Sequence, residues 1–214
     1  MPRARTVLAS VGAAAGLASC WWKADLIGDV TVHESTPQEA WVGQIILQAY
    51  HDDVAVRCLP QQELHDRLWP FYGNHMKEVQ GFAAGWLSMI WLDRTLCDSL
   101  QRFGHRPSGD KEALRQDELK AIRALNHEYR HIAGTAPEGQ ADCEAVQTAD
   151  KVIVALGTDP ADVRLIHAWL AYYVTDHPAK RPEEYSLKSC YENGPWDLDP
   201  AKDGMFPKPV IESK

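Results

Sequence analysis

The residues with the clearest chemical potential are two histidines and a glutamate within five consecutive positions. His127-Glu128-Tyr129-Arg130-His131 is an H-E-x-x-H run in a segment whose apolar spacing predicts a helix. Residues four positions apart lie on one helical face, so both imidazoles can reach a single metal ion. Zinc lowers the pKa of a bound water, and Glu128 stands where a carboxylate could accept that water's proton as a general base. The run therefore predicts metal-assisted hydrolysis.

Two downstream carboxylates extend this pattern. Gly134 to Pro137 predicts a tight turn between two antiparallel helices. In such a hairpin Glu138 falls opposite His131, and Asp142 falls opposite His127. We expect Glu138 to be the third zinc ligand and Asp142 to accept the second ring N–H of His127. Two histidines and one glutamate with an open fourth position are typical of a catalytic zinc site.

H-E-x-x-H followed by E-x-x-A-D, at 138–142, resembles the gluzincin metallopeptidases, including the membrane proteases that process prenylated CaaX proteins. Thermolysin-like enzymes share the spacing between the glutamate and the aspartate. The resemblance covers about residues 119–150, and it implies a zinc-dependent peptidase with a peptide or protein substrate. Cys143 and the later Tyr185…Cys190…Asp197-Leu198 segment make the chain similar to uncharacterised actinobacterial exported proteins. Upstream, 90–92 resembles the strand that often precedes the zincin helix.

The residues leave alternatives open. Only six residues separate His131 from Glu138, fewer than in these families, so Asp142 and Glu144 remain alternative third ligands. The H-E-x-x-H run could be the polar face of an ordinary amphipathic helix, and Glu138 a first-turn glutamate favoured by the helix dipole. The rival functions are a non-catalytic exported binding protein with a zincin-like shell, and a structural envelope protein without metal. Weaker candidates for stabilising an oxyanion are His167, Tyr172, Tyr173 and His177.

The remaining patterns predict an α+β protein that is mostly helical and zincin-like, with a small sheet packed on the H-E-x-x-H helix. Substrate would add as a strand along the sheet edge. The capping box Thr36-Pro37-Gln38-Glu39 predicts a helix start. The other predicted elements are a strand at 54–59, a helix at 60–69, a turn at 70–74, a β-prone segment at 81–93, a helix from Asp93 or Thr95, and helices at about 110–134, 137–156 and from 160. Trp86 and Trp91 are expected in the core.

The N-terminus predicts export. Arg3 and Arg5 precede an uncharged run, 6–18, that is too short to span a bilayer and is typical of a bacterial signal peptide. Leu17-Ala18-Ser19-Cys20 matches the box at which a lipoprotein is cleaved and lipidated on its cysteine. We expect a signal peptide at 1–19, a hydrolase domain at 20–178 and an irregular tail at 179–214. Ordinary secretion and a cytosolic start are the alternatives to a lipoprotein on the outer face of the cytoplasmic membrane.

Cysteine usage agrees with export. Without Cys20, four widely spaced cysteines remain and none forms a C-x-x-C pair, which suits two structural disulfides. Three pairings are possible. We favour Cys58–Cys97 and Cys143–Cys190 because each joins neighbouring segments, and the second would pin the tail to the body.

Composition excludes one partner class. The 214 residues are 45% hydrophobic and 24% charged, as in a folded globular protein. The formal charge of −8 and the absence of a basic stripe argue against nucleic acid, because phosphate binding needs clustered lysine and arginine. We expect membrane contact only through the N-terminal lipid.

Overall fold

The computed structural model describes residues 34–72, 80–107, 115–175, Cys190 and 194–198. All of these except Glu34 belong to one compact unit, Ser35–Lys214. The predicted signal peptide and Cys20 lie outside the described residues, as does most of the predicted tail.

The described residues form an α+β structure that is mostly helical, which confirms the predicted fold class at this level. Its helices are α1 (Pro37–Tyr50), α2 (Gln61–Tyr72), α3 (Arg94–Gly104), α4 (Gln116–Ile132), α5 (Glu138–Gln147), α6 (Ala149–Ala155) and α7 (Pro160–Thr175). Its strands are β1 (Ala55–Leu59), β2 (Gly81–Ala84) and β3 (Met89–Asp93), and a short 3₁₀ turn, Gly85–Leu87, joins β2 to β3. No helix within the described ranges is both long and apolar enough to cross a membrane.

The capping box predicted at the start of α1 is present. The Thr36 hydroxyl accepts the N–H of Glu39 at 3.2 Å, and the Glu39 carboxylate accepts the N–H of Thr36 at 2.8 Å. The other Glu39 oxygen accepts the N–H of Cys58 at 3.0 Å, so one buried carboxylate joins α1 to β1. Burial works against its ionisation, but these N–H donors outweigh that cost and lower the pKa of Glu39.

The sheet has the strand order β1-β3-β2, with β1 parallel and β2 antiparallel to β3. All five residues of β3 are buried, as expected for a central strand covered on both faces. In the β2–β3 register, Gly81 pairs with Leu92 and Ala84 with Met89. Among the described residues, the strand order makes β2 an edge strand of this sheet.

Helix α4 lies at the centre of the fold, against α3, α5, α6 and α7 and against β2 and β3. Leu119, Ile122 and Leu125 recur at helical spacing and are buried in the apolar core. The small sheet is thus packed on the H-E-x-x-H helix. The same helix carries polar residues into the interior in its second half, where Asn126, His127 and Glu128 are buried.

A tight bend separates α4 from α5. Gly134 has a φ of +104°, a left-handed conformation that glycine adopts without steric cost. The N–H of Gly134 donates to the carbonyl of His131 at 3.1 Å, and that of Thr135 donates to the carbonyl of Arg130 at 2.9 Å. These two bonds form the Schellman ending that glycine favours after a helix.

Three local predictions were wrong. The turn predicted at 70–74 does not begin at Pro70, because α2 continues to Tyr72; a proline in the last turn costs only one helical hydrogen bond. The helix predicted at 137–156 is broken at Thr148. The Asn126 amide donates to the carbonyl of Ala145, which a continuous helix would use internally. Trp86 is 63% exposed, whereas Trp91 is buried as expected.

Both favoured disulfides are confirmed. Cys58–Cys97 joins β1 to α3, and Cys143–Cys190 joins α5 to the C-terminal region. Gln147 strengthens the second connection, since its amide donates to the carbonyl of Trp196 at 2.7 Å and accepts the N–H of Leu198 at 2.8 Å. The described segment 194–198 is therefore held against α5.

Candidate metal centre

Three side-chain atoms from α4 and α5 converge on one point. The Nε2 atoms of His127 and His131 lie 3.1 Å apart, and Glu138 Oε2 lies 3.0 Å from the first and 3.4 Å from the second. Zinc bonds of about 2.0–2.1 Å in tetrahedral geometry place neighbouring ligand atoms about 3.3 Å apart. The three atoms are therefore spaced as the ligands of one tetrahedral ion. Within the part of the chain that the structure describes, His127, His131 and Glu138 are the group of three side chains that could hold a metal ion.

The second nitrogen of each ring is engaged by an acceptor. His127 Nδ1 lies 2.7 Å from Asp142 Oδ1, and His131 Nδ1 lies 2.7 Å from the carbonyl oxygen of Thr135. Both Nδ1 atoms must carry the hydrogen, because these partners can only accept. In the neutral rings, each Nε2 then presents a lone pair towards the other Nε2 and towards a carboxylate oxygen. Three acceptors that face one another require a cation between them, either a proton or a metal ion.

The bend between the helices sets this geometry. The Schellman ending at Gly134 turns the chain so that Glu138 starts α5 opposite His131, and it directs the Thr135 carbonyl at His131. Glu144, also on α5, accepts the Thr135 hydroxyl at 2.7 Å and the Gln140 amide at 2.8 Å. The carboxylate of Glu144 therefore stabilises the bend and does not point at the two Nε2 atoms.

Asp142 is buried between an imidazole and a guanidinium. One of its oxygens contacts His127, and the other accepts a hydrogen bond from Arg123, one turn earlier on α4. Burial raises the free energy of the carboxylate, but the positive charge of Arg123 and the bond to His127 outweigh it and hold the pKa of Asp142 far below its usual range. Of the alternative third ligands, Asp142 therefore lies behind His127 and Glu144 lies at the bend. Glu138 lies with the Nε2 atoms.

The electrostatics of the three converging residues are strongly coupled. Burial disfavours charged His127, but hydrogen bonds to Asp142 and Glu138 outweigh it and raise the pKa of His127 to about 10. Burial is likewise outweighed at His131, whose pKa is raised by its bond to Glu138. At Glu138 burial opposes ionisation, and the two histidines overcome it and lower the pKa to about 2. Positive charge is therefore favoured at the two histidines and negative charge at Glu138.

Glu128 is buried beside this cluster. Burial raises its pKa to about 7, against the opposing influence of His127 and His131. Its side chain packs on the backbone of β2: a Cβ built on Gly81 would lie 2.8 Å from Glu128 Cγ and 2.8 Å from Oε1. The carboxylate is therefore enclosed between the helix and the edge strand.

Sequence reasoning missed three residues of this site. Thr135 contributes a carbonyl oxygen, which any residue type could supply, so its identity carries no signal. Arg123 precedes His127 by one helical turn, and that spacing could have suggested a partner for Asp142. Gly81 could have been noticed as a glycine at the start of a β-prone segment, where glycine often marks a close approach of another group.

Of the weaker oxyanion candidates, His167 is the one whose side chain the structure describes. His167 Nε2 lies 2.6 Å from the carbonyl oxygen of Val146, so its ring is engaged in holding α7 to α5. The side chains of Tyr172 and Tyr173 and the whole of His177 lie outside the described residues.

Comparison of the chain with models of protein families, with curated proteins and with solved structures gave no match.

Proposed function

We propose that the chain is a zinc-dependent hydrolase of the gluzincin type that cleaves peptide bonds. His127, His131 and Glu138 hold the zinc ion, and Glu128 acts as the general base. One observation carries the proposal: three acceptor atoms at mutual distances of 3.0 to 3.4 Å point at a common centre while both Nδ1 atoms are engaged elsewhere. A proton on one ring or a metal ion must lie at that centre, and the tetrahedral spacing of the three atoms favours a metal ion.

The residues present fit zinc better than a harder cation. Two imidazole nitrogens and one carboxylate oxygen are a ligand set that zinc prefers, whereas magnesium and calcium take mainly oxygen ligands. Three protein ligands leave one tetrahedral position for water or substrate. Asp142 behind His127 and the Thr135 carbonyl behind His131 hold the rings in the required tautomer.

Hydrolysis needs a proton acceptor and an activated carbonyl. When bound, zinc acts as a Lewis acid that polarises the scissile carbonyl and makes water more acidic. Glu128 accepts a proton from the attacking water, whose oxygen forms a bond to the carbonyl carbon. The carbon–nitrogen bond then breaks, and Glu128 donates the proton to the leaving nitrogen. The products are a carboxylic acid and an amine.

The edge strand supplies a surface for an extended substrate. In an antiparallel pair, residues alternate between those bonded to the partner strand and those whose N–H and C=O face outward. The N–H of Asp93 donates to the carbonyl of Gln80 at 2.8 Å, so Gly81 and Ala83 turn their peptide groups away from β3. We propose a zincin-like arrangement in which a peptide adds to β2 as a further strand, next to Glu128.

Glu128→Gln tests the assigned base. The amide keeps the shape of the side chain but cannot accept the proton, so we expect kcat to fall by about 10²- to 10⁴-fold while zinc content stays at the wild-type level. The measurements are elemental analysis and cleavage of a broad fluorogenic peptide library. Retained activity in Glu128→Gln would show that another group is the base.

The same assay separates the rival functions. Bound zinc without peptide cleavage by the wild-type chain would favour the non-catalytic binding protein. Failure to find zinc after expression in zinc-replete medium would favour the structural envelope protein. Either result would end the proposal of a hydrolase.

We further propose that the chain is exported and anchored by a lipid on Cys20. Two disulfides among the described residues support an oxidising compartment, because structural disulfides are rare in the cytosol. In a bacterial host, Cys20→Ser should prevent lipidation and move the protein from the membrane fraction to the soluble fraction. Mass spectrometry of the wild-type chain showing an intact Met1 and an unmodified Cys20 would contradict the anchor.

A further inference from the structure

The space beside Gly81 is filled by the side chain of Glu128. A Cβ at position 81 would lie 2.8 Å from Glu128 Cγ, 2.8 Å from Oε1 and 3.0 Å from Cδ. Non-bonded heavy atoms of this kind do not approach so closely, so any side chain at position 81 must displace the glutamate. The contact involves three atoms of the side chain, Cγ, Cδ and Oε1, and not one atom alone.

Glu128 has little room to yield. It is only 7% exposed, and it lies on α4 where that helix packs against β2 and β3. The Glu128 carboxylate interacts electrostatically with His127, His131 and Glu138, which converge on the candidate metal position. A displacement from the strand would therefore move the carboxylate relative to the three converging atoms.

We propose that Gly81 is a positioning residue for Glu128: its bare Cα leaves the volume that the carboxylate fills and so fixes the carboxylate beside the metal ligands. This inference rests on the proposed hydrolase function. Gly81 does not touch the reacting atoms through a side chain of its own. It acts through Glu128, and a displacement of about 1 Å in a reacting group can cost about 10²-fold in rate.

Gly85 offers a matched control. It follows β2 directly and lies near the end of the same helix, but a Cβ there would meet only the carbonyl oxygen of His131, at 3.7 Å. That is an ordinary van der Waals distance. Gly81→Ala and Gly85→Ala thus add the same methyl group to the same short segment, and only the first meets the proposed base.

The activity test compares the two variants in the full chain. With a fluorogenic peptide substrate, Gly81→Ala should lower kcat by about 10²-fold with KM and zinc content near wild type, because the base is displaced and the ligands are not. Gly85→Ala should change kcat by less than about threefold. A general loss of folding would instead lower zinc content, and equal effects of the two variants would overturn the assignment.

A second measurement does not depend on activity. In zinc-free protein, Gly81→Ala should lower the thermal midpoint by roughly 3–8 °C, as expected for an overpacked site in a chain of this size. In the Glu128→Ala background the added methyl has room, so the same change should lower the midpoint by less than about 2 °C. Equal shifts in both backgrounds would show that the contact is absent and would overturn the inference.

The two readouts separate the possible failures. The assignment is supported if the wild type cleaves peptides, if Gly81→Ala but not Gly85→Ala lowers kcat, and if the midpoint shift of Gly81→Ala is smaller in the Glu128→Ala background. If Gly81→Ala lowers the thermal midpoint less in the Glu128→Ala background but the wild type cleaves no peptide, the proposed function would be refuted. Gly81 would then be a packing residue only. Cleavage by the wild type with a fully active Gly81→Ala variant would refute the positioning role alone.

Discussion

A carboxylate is paired near each end of α4, but the two are paired in different ways and only the first is fully buried. Near the first turn, Glu118 is fully buried; it forms an ion pair with Arg106 and accepts the N–H of Arg115 at 3.1 Å. Near the last turn, Glu138 contacts the Nε2 atoms of His127 and His131. The first carboxylate is paired with the positive charge of an arginine, which is always protonated. The second meets two atoms that carry lone pairs unless a proton or a metal ion is added.

This contrast separates structural burial from a binding site. A buried charge that is fully paired within the chain needs nothing further, although its removal is costly. A group of acceptors that requires an external cation remains incomplete without one. Asp142 and Glu138 raise the pKa of His127 against the effect of burial, so the cluster favours positive charge. The candidate metal site is therefore distinguished by three acceptor atoms that face one another, more than by the number of charges it contains.

The largest expected effect is on zinc binding. His131→Ala removes one of the three proposed ligands, so we expect the zinc affinity to fall on the order of 10³-fold. The measurement is competition with a chromophoric chelator, supported by elemental analysis of wild type and variant. His65→Ala, which removes an imidazole from α2 and not from the cluster, should leave the affinity unchanged. Equal zinc affinities of the wild type and His131→Ala would show that the cluster at this end of α4 does not bind zinc.

A smaller effect is expected at the other end of α4. Glu118→Gln takes the negative charge from the buried pair with Arg106, so the free energy of unfolding should fall by about 2–3 kcal/mol. Zinc content of the folded protein should not change. Urea denaturation followed by circular dichroism gives the first quantity, and elemental analysis gives the second. A stability equal to wild type, or a loss of zinc, would show that the two ends of the helix do not differ as described.

The parts of the fold that the sequence predicted share a local cause. The start of α1 follows from four residues, 36–39, whose side chains and backbone cap one another. The bend after α4 follows from Gly134, because a left-handed position there favours glycine. The α4–α5 hairpin then follows by counting residues across the bend. Local interactions of this kind can be predicted from a sequence because the interacting groups lie within a few positions of one another.

The failures have non-local causes. The break at Thr148 depends on the Asn126 side chain, which donates to the carbonyl of Ala145 from another helix. The exposure of Trp86 depends on where the 3₁₀ turn lies relative to the core. The close approach of Gly81 to Glu128 joins residues 47 positions apart, and only the packing of β2 on α4 brings them together. Neither the apolar periodicity nor the spacing of residues in the sequence predicts these contacts.

The smallest expected effect concerns Asp142, which lies behind the proposed ligand His127. Asp142→Asn keeps an acceptor for His127 Nδ1 but removes the negative charge that Arg123 and His127 share, so the zinc affinity should fall by about 10- to 100-fold. Glu144→Gln is the matched control on the same helix, because that carboxylate bonds to Thr135 and Gln140 instead of to a histidine. It should change the affinity by less than about threefold. If the control weakened zinc binding as much as Asp142→Asn, Glu144 would have to be reconsidered as a ligand, and the assignment of Glu138 would lose its basis. If neither variant changed the affinity, the contact between Asp142 and His127 would be structural, as the ion pair of Glu118 is.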